Sequence, residues 1–159
     1  MLELRGKYDI FQLPQNGEAV CVTTNGVVKA DGHAVMGAGI AKQADQLFNL
    51  SKRLGDYINQ YGNRVFNMGK YTNGSQLITV ITFPTKHHWK NDSDINLIIK
   101  SCEQLIEICD KFGITKCYLT PPGCGCGHLS YENIVRPWIS LMLDDRFIVV
   151  DNRTNVKIC

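Results

Sequence analysis

The segment LITVITF, residues 77–83, decides the fold class of this chain. Its side chains are almost all apolar or β-branched, so both faces of the strand that it predicts must be covered. The preceding segment, residues 65–76, contains the turn signal Asn73-Gly74 and predicts an antiparallel partner strand. A strand that is covered on both faces and has a hairpin neighbour indicates a mixed sheet between two layers of helices.

Further strands and helices alternate along the rest of the chain. Short apolar runs predict strands at 2–8, 19–24, 116–121 and 147–151, and helical periodicity predicts helices at 38–50, 52–61, 94–112 and 130–143. In the first helix, Ile40, Ala44, Leu47 and Leu50 form the expected buried stripe. We therefore expect an α/β protein, a three-layer α/β/α sandwich with a central mixed sheet, formed by residues 1–159 as a single domain.

Composition and charge narrow the class of protein. The 159 residues are 44% hydrophobic and carry a net charge of +2, which suits a globular core and does not by itself indicate nucleic-acid binding. The N-terminus has no apolar segment of the signal-peptide kind, and the longest apolar run is too short to cross a membrane. The seven cysteines are an odd number and several lie in apolar patterns. We therefore expect a cytoplasmic monomer without membrane contact and without a disulfide framework.

Three unusual loops each follow a predicted strand, at residues 25–40, 84–90 and 121–128. Ligands of open α/β sheets bind beyond the carboxyl ends of the strands, so the three loops are expected to line one crevice. In the first loop, the glycines of MGAGI, residues 36–40, lead into a helix, as in phosphate-binding loops. The same pattern is typical of a tight turn with close helix packing. It does not fit a dinucleotide fingerprint, because Lys42 stands where the third glycine belongs, and it does not fit a P-loop, because the chain has no Gly-Lys-Ser/Thr.

The third loop, PPGCGCGH, residues 121–128, admits three interpretations. Cys124 and Cys126 suggest a metal site or a redox pair, whereas the alternating glycines suggest backbone N–H groups that curl around an anion. The one-residue spacing of the cysteines is not that of a zinc knuckle, and the chain has no second pair, so we expect no metal. We therefore favour an anion site in which two glycine loops hold a pyrophosphate from both sides.

Taken together, TTNG…VMGAGIA, FPTKHHW and GCGCGHLSYENIVRPW resemble the macro domain family, the ADP-ribose-binding fold. The chain is most similar to the subgroup that holds the DNA ADP-ribosyl glycohydrolase antitoxins and the terminal ADP-ribose protein glycohydrolase, and the resemblance runs from about Tyr8 to Asp151. It implies that the ligand is ADP-ribose or an ADP-ribosylated substrate, including ADP-ribosylated DNA. It also implies hydrolase activity without a cofactor.

The resemblance further implies individual binding roles. Asp9 and Ile10 would hold the adenine, Asn25 would meet the distal ribose, and Asn152 lies where the family places a residue over the adenine. The phosphates and the distal ribose would be wrapped by Met36, Gly37, Ala38, Gly39, Ile40 and Ala41 on one side and by Pro122, Gly123, Cys124, Gly125, Cys126, Gly127, His128 and Leu129 on the other.

A lysine at the position of Lys86 is catalytic in the glycohydrolase subgroup. A lysine amine that has lost its proton can attack the anomeric carbon or its opened form, or can move a proton on the leaving group. The protein-directed enzyme pairs this lysine with an aspartate in the second glycine loop, where this chain has Gly127. The pattern therefore resembles the DNA-directed enzymes more closely. His128 is a second candidate acid or base, or else a surface residue of the loop.

Two alternative functions stay open at this point. One is an ADP-ribose 1''-phosphate phosphatase (Appr-1''-p processing), for which His33 is a weak match to the histidine of that branch. The other is a non-catalytic ADP-ribose reader in which Lys86 acts only by its charge. The segment KHHWK, residues 86–90, also has two interpretations. Either Trp89 packs on the edge of the core, or Trp89 stacks on a base while Lys90 meets a phosphate.

Overall fold

The computed structural model describes residues 1–153 of the chain. Its elements are β1 (Leu2–Arg5), β2 (Ala19–Thr24), α1 (Gly39–Phe48), α2 (Ser51–Tyr61), β3 (Phe66–Asn73), β4 (Gln76–Pro84), α3 (Ile95–Phe112), β5 (Cys117–Leu119), α4 (Arg136–Met142) and β6 (Phe147–Asp151). A 3-10 turn at Ile10–Gln12 precedes β2, and a π-helical turn at Tyr131–Val135 leads into α4. Each strand and helix that the sequence predicts is present.

The six strands form one mixed sheet in the order β1-β6-β5-β2-β4-β3. β2 pairs in parallel with both β4 and β5, and β6 pairs in parallel with both β5 and β1. Only β3 is antiparallel, and its last residue, Asn73, pairs with Gln76 across the Gly74-Ser75 turn, as the predicted hairpin requires. The carboxyl ends of β2, β4, β5 and β6 consequently meet at one edge of the sheet.

Helices cover both faces of the sheet, which confirms the three-layer α/β/α sandwich. On one face, Ile78 and Val80 of β4 pack against α1 and α2. On the other face, Ile81 and Phe83 pack against α3 and α4. All four side chains are fully buried, which is why the strand has apolar residues in both orientations. Within residues 1–153, no helix combines the length and the apolarity needed to cross a membrane.

Two local predictions are wrong. Leu47 was expected in the buried stripe of α1, but it is exposed and Phe48 is buried in its place. The helix ends at Phe48 because Asn49 adopts a left-handed conformation. Leu50 therefore lies beyond the helix, but it is fully buried as expected and packs in the same core. The first strand is also shorter than predicted, since it ends at Arg5 and the chain then enters the 3-10 turn.

Most of the cysteines behave as small hydrophobic residues. The free, buried thiols within the described residues are those of Cys21, Cys102, Cys109, Cys117 and Cys124. Burial raises the pKa of Cys102 to about 12, so its thiol stays protonated at neutral pH. Cys126 is different, because it is disulfide-bonded, whereas the sequence predicts no disulfide framework.

Gly55 provides a test of how closely α2 approaches the loop that precedes α1. A β-carbon at this buried position would lie 1.9 Å from the backbone carbonyl oxygen of Gly32. Alanine normally stabilises a helix interior relative to glycine by up to about 1 kcal/mol, but here it must push the backbone apart. We expect Gly55→Ala to lower the free energy of unfolding by about 2 kcal/mol in a urea titration.

The matched control is Gln60→Ala, an exposed substitution on the same helix, which should change the free energy of unfolding by less than about 0.5 kcal/mol. A Gly55→Ala variant as stable as this control would contradict the close approach.

Candidate functional site

Two adjoining cavities lie at the edge where the carboxyl ends of the parallel strands meet. Their volumes are about 720 Å³ and about 940 Å³, and they share Gly39, Ile40, Thr120 and Asn152. The first cavity lies between the loops that follow β2, β4, β5 and β6, and the second lies beside the 3-10 turn at Ile10. Since they share these residues, the cavities form one groove large enough for a dinucleotide-sized ligand.

The first glycine loop brings the N-terminus of α1 to the groove. Ala38, the residue before the helix, is extended and provides no side-chain hydrogen bond to the first helical turn. Gly39 begins the helix with φ 57°, a conformation that favours glycine. All six residues predicted in this loop line the first cavity. The unpaired N–H groups and the partial positive charge of the helix end therefore face the cavity.

The second glycine loop folds back on itself and also presents backbone N–H groups. The N–H of Leu129 donates to the carbonyl of Gly123 at 2.9 Å, and the N–H of His128 donates to the carbonyl of Gly125 at 3.1 Å. Gly125 and Gly127 line the first cavity, and within residues 1–153 their N–H groups have no backbone or side-chain acceptor. Such a turn is a nest that suits an anion.

The two loops differ in how they use the helix that follows. Ser130 precedes the π-helical turn at Tyr131–Val135, and its Oγ accepts a hydrogen bond from the N–H of Asn133 at 3.2 Å. This helix start is therefore capped by its own side chain, whereas the start of α1 is not. The second loop consequently faces the cavity with its own amides rather than with a helix N-terminus.

Gly127 is also required for packing, because its α-carbon lies close to neighbouring atoms. A β-carbon on Gly127 would lie 2.1 Å from Ser93 Oγ and 2.5 Å from the carbonyl oxygen of Gly123. The N–H of Ser93 also donates to the carbonyl of Gly127 at 2.9 Å. The loop is thus fixed against the segment that immediately precedes α3.

Three residues predicted to contact the ligand, Pro122, Cys124 and Leu129, line neither of the two cavities. Cys124 Sγ donates to the carbonyl of Pro122 at 3.3 Å and is buried in the core, and Leu129 packs against the same core. Burial raises the pKa of Cys124 to about 12, which keeps the thiol protonated and unreactive at neutral pH. This position does not suit a redox or metal site at Cys124.

Lys86 lies just beyond the end of β4 and connects the loop after β4 to the second glycine loop. Its Nζ donates to the carbonyl of Cys126 at 2.9 Å and to the carbonyl of Trp89 at 3.5 Å. The side-chain amide of Asn63 donates to the carbonyl of Lys86 at 2.9 Å and fixes the backbone there. Lys86 is half-buried in the wall of the first cavity, close to the second glycine loop.

Neither candidate histidine lines either of these two cavities. His128 has φ 63° and its Nδ1 lies 2.9 Å from Asp92 Oδ1, so its ring is exposed and braces the loop against the segment before α3. His33 lies in the loop before α1 and contacts the start of α2, where its Nδ1 is 3.0 Å from Ser51 Oγ. The backbone conformation of His128 directs its ring to Asp92 rather than into the groove.

The second cavity contains the residues predicted to hold adenine. Asp9 Oδ1 accepts from the N–H of Phe11 at 3.0 Å and so caps the 3-10 turn, while Ile10 lines the cavity beside it. Asn152 holds both backbone groups of Tyr8, accepting from its N–H at 2.9 Å and donating to its carbonyl at 2.6 Å. The end of β6 and the start of the 3-10 turn therefore form one wall.

Asn25 links the two ends of the first loop at the wall of the first cavity. Its Nδ2 donates to the carbonyl of Val35 at 3.1 Å, and its Oδ1 accepts from the N–H of Val27 at 3.0 Å. The side chain thus holds the loop that carries the glycines in addition to lining the cavity.

Solved structures of other proteins share this fold. The macrodomain of Mycobacterium tuberculosis DarG matches with a TM-score of 0.73 and 26% sequence identity, over 96% of this chain and 99% of that one. The chain has the macrodomain fold. Thermosipho africanus DarTG in complex with ADP-ribose matches with a TM-score of 0.77 and 22% identity, over 99% of this chain but only 43% of its own. The macrodomain of Thermus aquaticus DarG matches with a TM-score of 0.69 and 21% identity, over 96% and 99% of the two chains. No protein-family model and no curated protein matches the sequence.

The sequence did not predict that threonines line the first cavity of this macrodomain. The first cavity is also lined by Thr23, Thr24, Thr85 and Thr120, which lie at or just beyond the ends of β2, β4 and β5. Their position at the ends of the predicted strands is the sequence signal that identifies them. Hydroxyls at these positions can donate or accept, so they add polar contacts to a wall that is mostly apolar.

Arg153 is a cation in the cavity wall that the sequence did not predict. It lines the first cavity and holds Asp151 with two hydrogen bonds, each of 2.9 Å. The guanidinium, through these bonds, lowers the pKa of the Asp151 carboxyl below its ordinary value. The Arg153 guanidinium also lies over the ring of Tyr131, 4.7 Å from the ring centroid. The sequence around residue 153 has no motif that announces this cation.

The packing of the second glycine loop can be tested by a pair of substitutions within it. Gly127→Ala must displace Ser93 or the backbone of Gly123, so we expect the melting temperature to fall by about 5 °C. Gly125→Ala is the matched control, because a β-carbon there has no neighbour within 4 Å, and its melting temperature should stay within about 1 °C. Equal melting temperatures for the two variants in differential scanning calorimetry would contradict the proposed packing.

Proposed function

We propose that this macrodomain binds ADP-ribose along the groove and hydrolyses the bond that joins ADP-ribose to a modified nucleobase or protein side chain. The observation that carries the proposal is the position of Lys86. Its amine lies in a cavity wall next to the second glycine loop, in the same cavity that the N-terminus of α1 faces. Two amide-rich loops and one primary amine suit a ligand with a diphosphate and a reactive anomeric carbon.

The groove supports one orientation of ADP-ribose. The adenine lies in the second cavity beside Asp9 and Ile10, which line that cavity only. The diphosphate then lies between the first turn of α1 and the N–H groups of Gly125 and Gly127. The distal ribose comes last and reaches Lys86, which lines the first cavity only. This order follows from the covalent sequence of the ligand, adenosine, diphosphate and ribose.

The reaction in this orientation is a hydrolysis at the anomeric carbon of the distal ribose. The bond between that carbon and the substrate breaks, the oxygen of a water molecule forms the new bond, and one proton of the water ends on the leaving group. In one route, Lys86 moves that proton. In the other, its amine, having lost its proton, forms a bond to the anomeric carbon of the opened sugar as the leaving group departs, and the water then breaks the bond between carbon and Lys86 and frees the amine. Both routes need an amine that can give up its proton, which arginine cannot replace.

The residues around Lys86 favour a nucleobase over a protein side chain as the leaving group. The glycohydrolase that acts on proteins has an aspartate in the second glycine loop, and this loop has none. Asp92 and Asp94, the acids that follow Lys86 in the chain, are held by His128 at 2.9 Å and by His87 at 3.0 Å. Within residues 1–153, neither acid forms an ion pair with the Lys86 amine.

A non-catalytic reader of ADP-ribose is the second candidate function. Lys86 Nζ already has an acceptor in the carbonyl of Cys126, which would allow the residue to fix the glycine loop without taking part in a reaction. The phosphatase alternative has less support, because His33 bonds to Ser51 and lines neither described cavity.

Hydrolysis and reading are separated by two substitutions of Lys86. We expect Lys86→Ala and Lys86→Arg each to lower kcat/KM on ADP-ribosylated single-stranded DNA by at least about 100-fold, because neither variant has an amine that can lose its proton. The dissociation constant for free ADP-ribose, measured by calorimetry, should change by less than about fivefold. ADP-ribosylated protein and ADP-ribose 1''-phosphate serve as comparison substrates in the same assay.

Lys100→Ala, an exposed lysine on α3, is the control and should keep full activity. Full activity of Lys86→Arg would show that the charge alone is sufficient and would contradict the amine mechanism. Binding of ADP-ribose by the wild-type protein without turnover of any of the three substrates would establish the reader instead. Borohydride trapping of ADP-ribose on Lys86 would identify the nucleophilic route.

A further inference from the structure

Trp89 is an exposed tryptophan at the reactive end of the groove. It lines the first cavity, and its carbonyl lies 3.5 Å from Lys86 Nζ. Its side chain is 49% exposed and belongs to neither hydrophobic core. The interpretation that Trp89 packs on the core edge therefore does not account for this residue. A large aromatic ring left in solvent beside a binding cavity is typical of a surface that contacts a ligand.

The surroundings of Trp89 combine aromatic and cationic groups. The ring of His88 is stacked on Trp89, with centroids 5.4 Å apart and planes inclined by 29°. Lys90 Nζ lies 5.2 Å from the Trp89 ring centroid. The nearby acids hydrogen-bond to histidines, Asp92 to His128 and Asp94 to His87, and within residues 1–153 Lys90 forms no ion pair with either of them.

The segment that carries these side chains has a defined conformation. The N–H of Lys90 donates to His88 Nδ1 at 3.1 Å, and the N–H of Asn91 donates to the carbonyl of His88 at 3.1 Å. On the other side, Asn63 holds the carbonyl of Lys86. The Trp89 ring is therefore presented by an ordered turn, so binding a partner does not require the turn to form first.

We propose that Trp89 is a stacking platform for a nucleobase of the single-stranded nucleic acid that carries the ADP-ribose, and that Lys90 contacts an adjoining phosphate. This inference rests on the proposed function, because that function places the leaving group beside Lys86. An aromatic face accepts any base, and a neighbouring ammonium matches the backbone charge. Lys90 is an exposed, unbranched side chain that a base displaces from the ring while its charge stays within reach of the phosphate.

The chain contains only two tryptophans, Trp89 and Trp138, which makes a direct test possible. Trp138 is the matched control, since it is 50% exposed and lies on α4, outside both cavities. In Trp138→Phe, Trp89 is the sole fluorescent indole. We expect a short unmodified oligothymidylate to quench this fluorescence saturably, and to leave the fluorescence of Trp89→Phe, which reports Trp138, unchanged. No quenching in Trp138→Phe overturns the proposal whether or not the protein hydrolyses anything.

Kinetics then separate a nucleic-acid platform from a general effect on the site. We expect Trp89→Ala to raise KM on ADP-ribosylated single-stranded DNA about tenfold with kcat little changed, whereas Trp138→Ala matches the wild type. Trp89→Phe, which keeps an aromatic face, should recover most of the loss. The dissociation constant for free ADP-ribose should be the same in all variants.

Two results would overturn the assignment of Trp89. An equal rise in KM on an ADP-ribosylated protein would mean that the ring contacts any leaving group, or that a protein is the partner. A parallel loss of free ADP-ribose binding would make Trp89 part of the ADP-ribose site itself. If the wild-type protein fails to bind ADP-ribose at all, the proposed function fails, but quenching by oligothymidylate still reports on the platform.

Discussion

The parallel pairing of β2 with β4 is the constraint on which the site depends. Thr24 pairs with Pro84 at the ends of these strands, and the N–H of Thr85 donates to the carbonyl of Thr24 at 3.0 Å. The loops that begin at Asn25 and at Thr85 therefore leave the sheet at the same level. Because β5 and β6 run in the same direction, their following loops reach that edge too, and a groove forms without any insertion into the fold.

A second consequence is that the loop between β4 and α3, which carries Lys86, is bonded at several points to the second glycine loop. They are joined by the bond from Lys86 Nζ to the Cys126 carbonyl, by the bond from the Ser93 N–H to the Gly127 carbonyl, and by the pair of Asp92 and His128. Each contact is short, and the close packing at Gly127 leaves no room for a side chain. A shift of the glycine loop would thus move the carbonyl to which the amine bonds, so phosphate contacts and the reactive group are positioned together.

The sequence predicted the sheet because burial leaves a strong pattern. LITVITF has apolar side chains in both orientations, and α3 shows its capping residue Asp94, its apolar stripe and its terminal Gly113. The pattern failed at Leu47, where a left-handed Asn49 ended the helix one residue after it. Propensity alone does not determine such a local choice, because the backbone of the following loop decides it.

The glycine loops of the site were predictable from the sequence, because their backbone geometry requires glycine. The parts of the site that depend on the position and direction of individual side chains were less predictable. Gly37, Gly39, Gly125 and Gly127 were identified from their spacing, and all four line the first cavity. Arg153 and the strand-end threonines are ordinary residue types at positions that only the sheet order brings together. The direction of a single side chain could not be predicted from the sequence either, since the ring of His128 contacts Asp92 and does not line the groove.

The central claim is that one groove orders adenine, diphosphate and distal ribose towards Lys86. A crystal structure of the protein with ADP-ribose tests it most directly. The expected result is an adenine beside Asp9, a diphosphate within hydrogen-bonding distance of the N–H groups of α1 and of Gly125 and Gly127, and an anomeric carbon within about 4 Å of Lys86 Nζ. An adenine at the Lys86 end, or a diphosphate that contacts neither glycine loop, would contradict the claim.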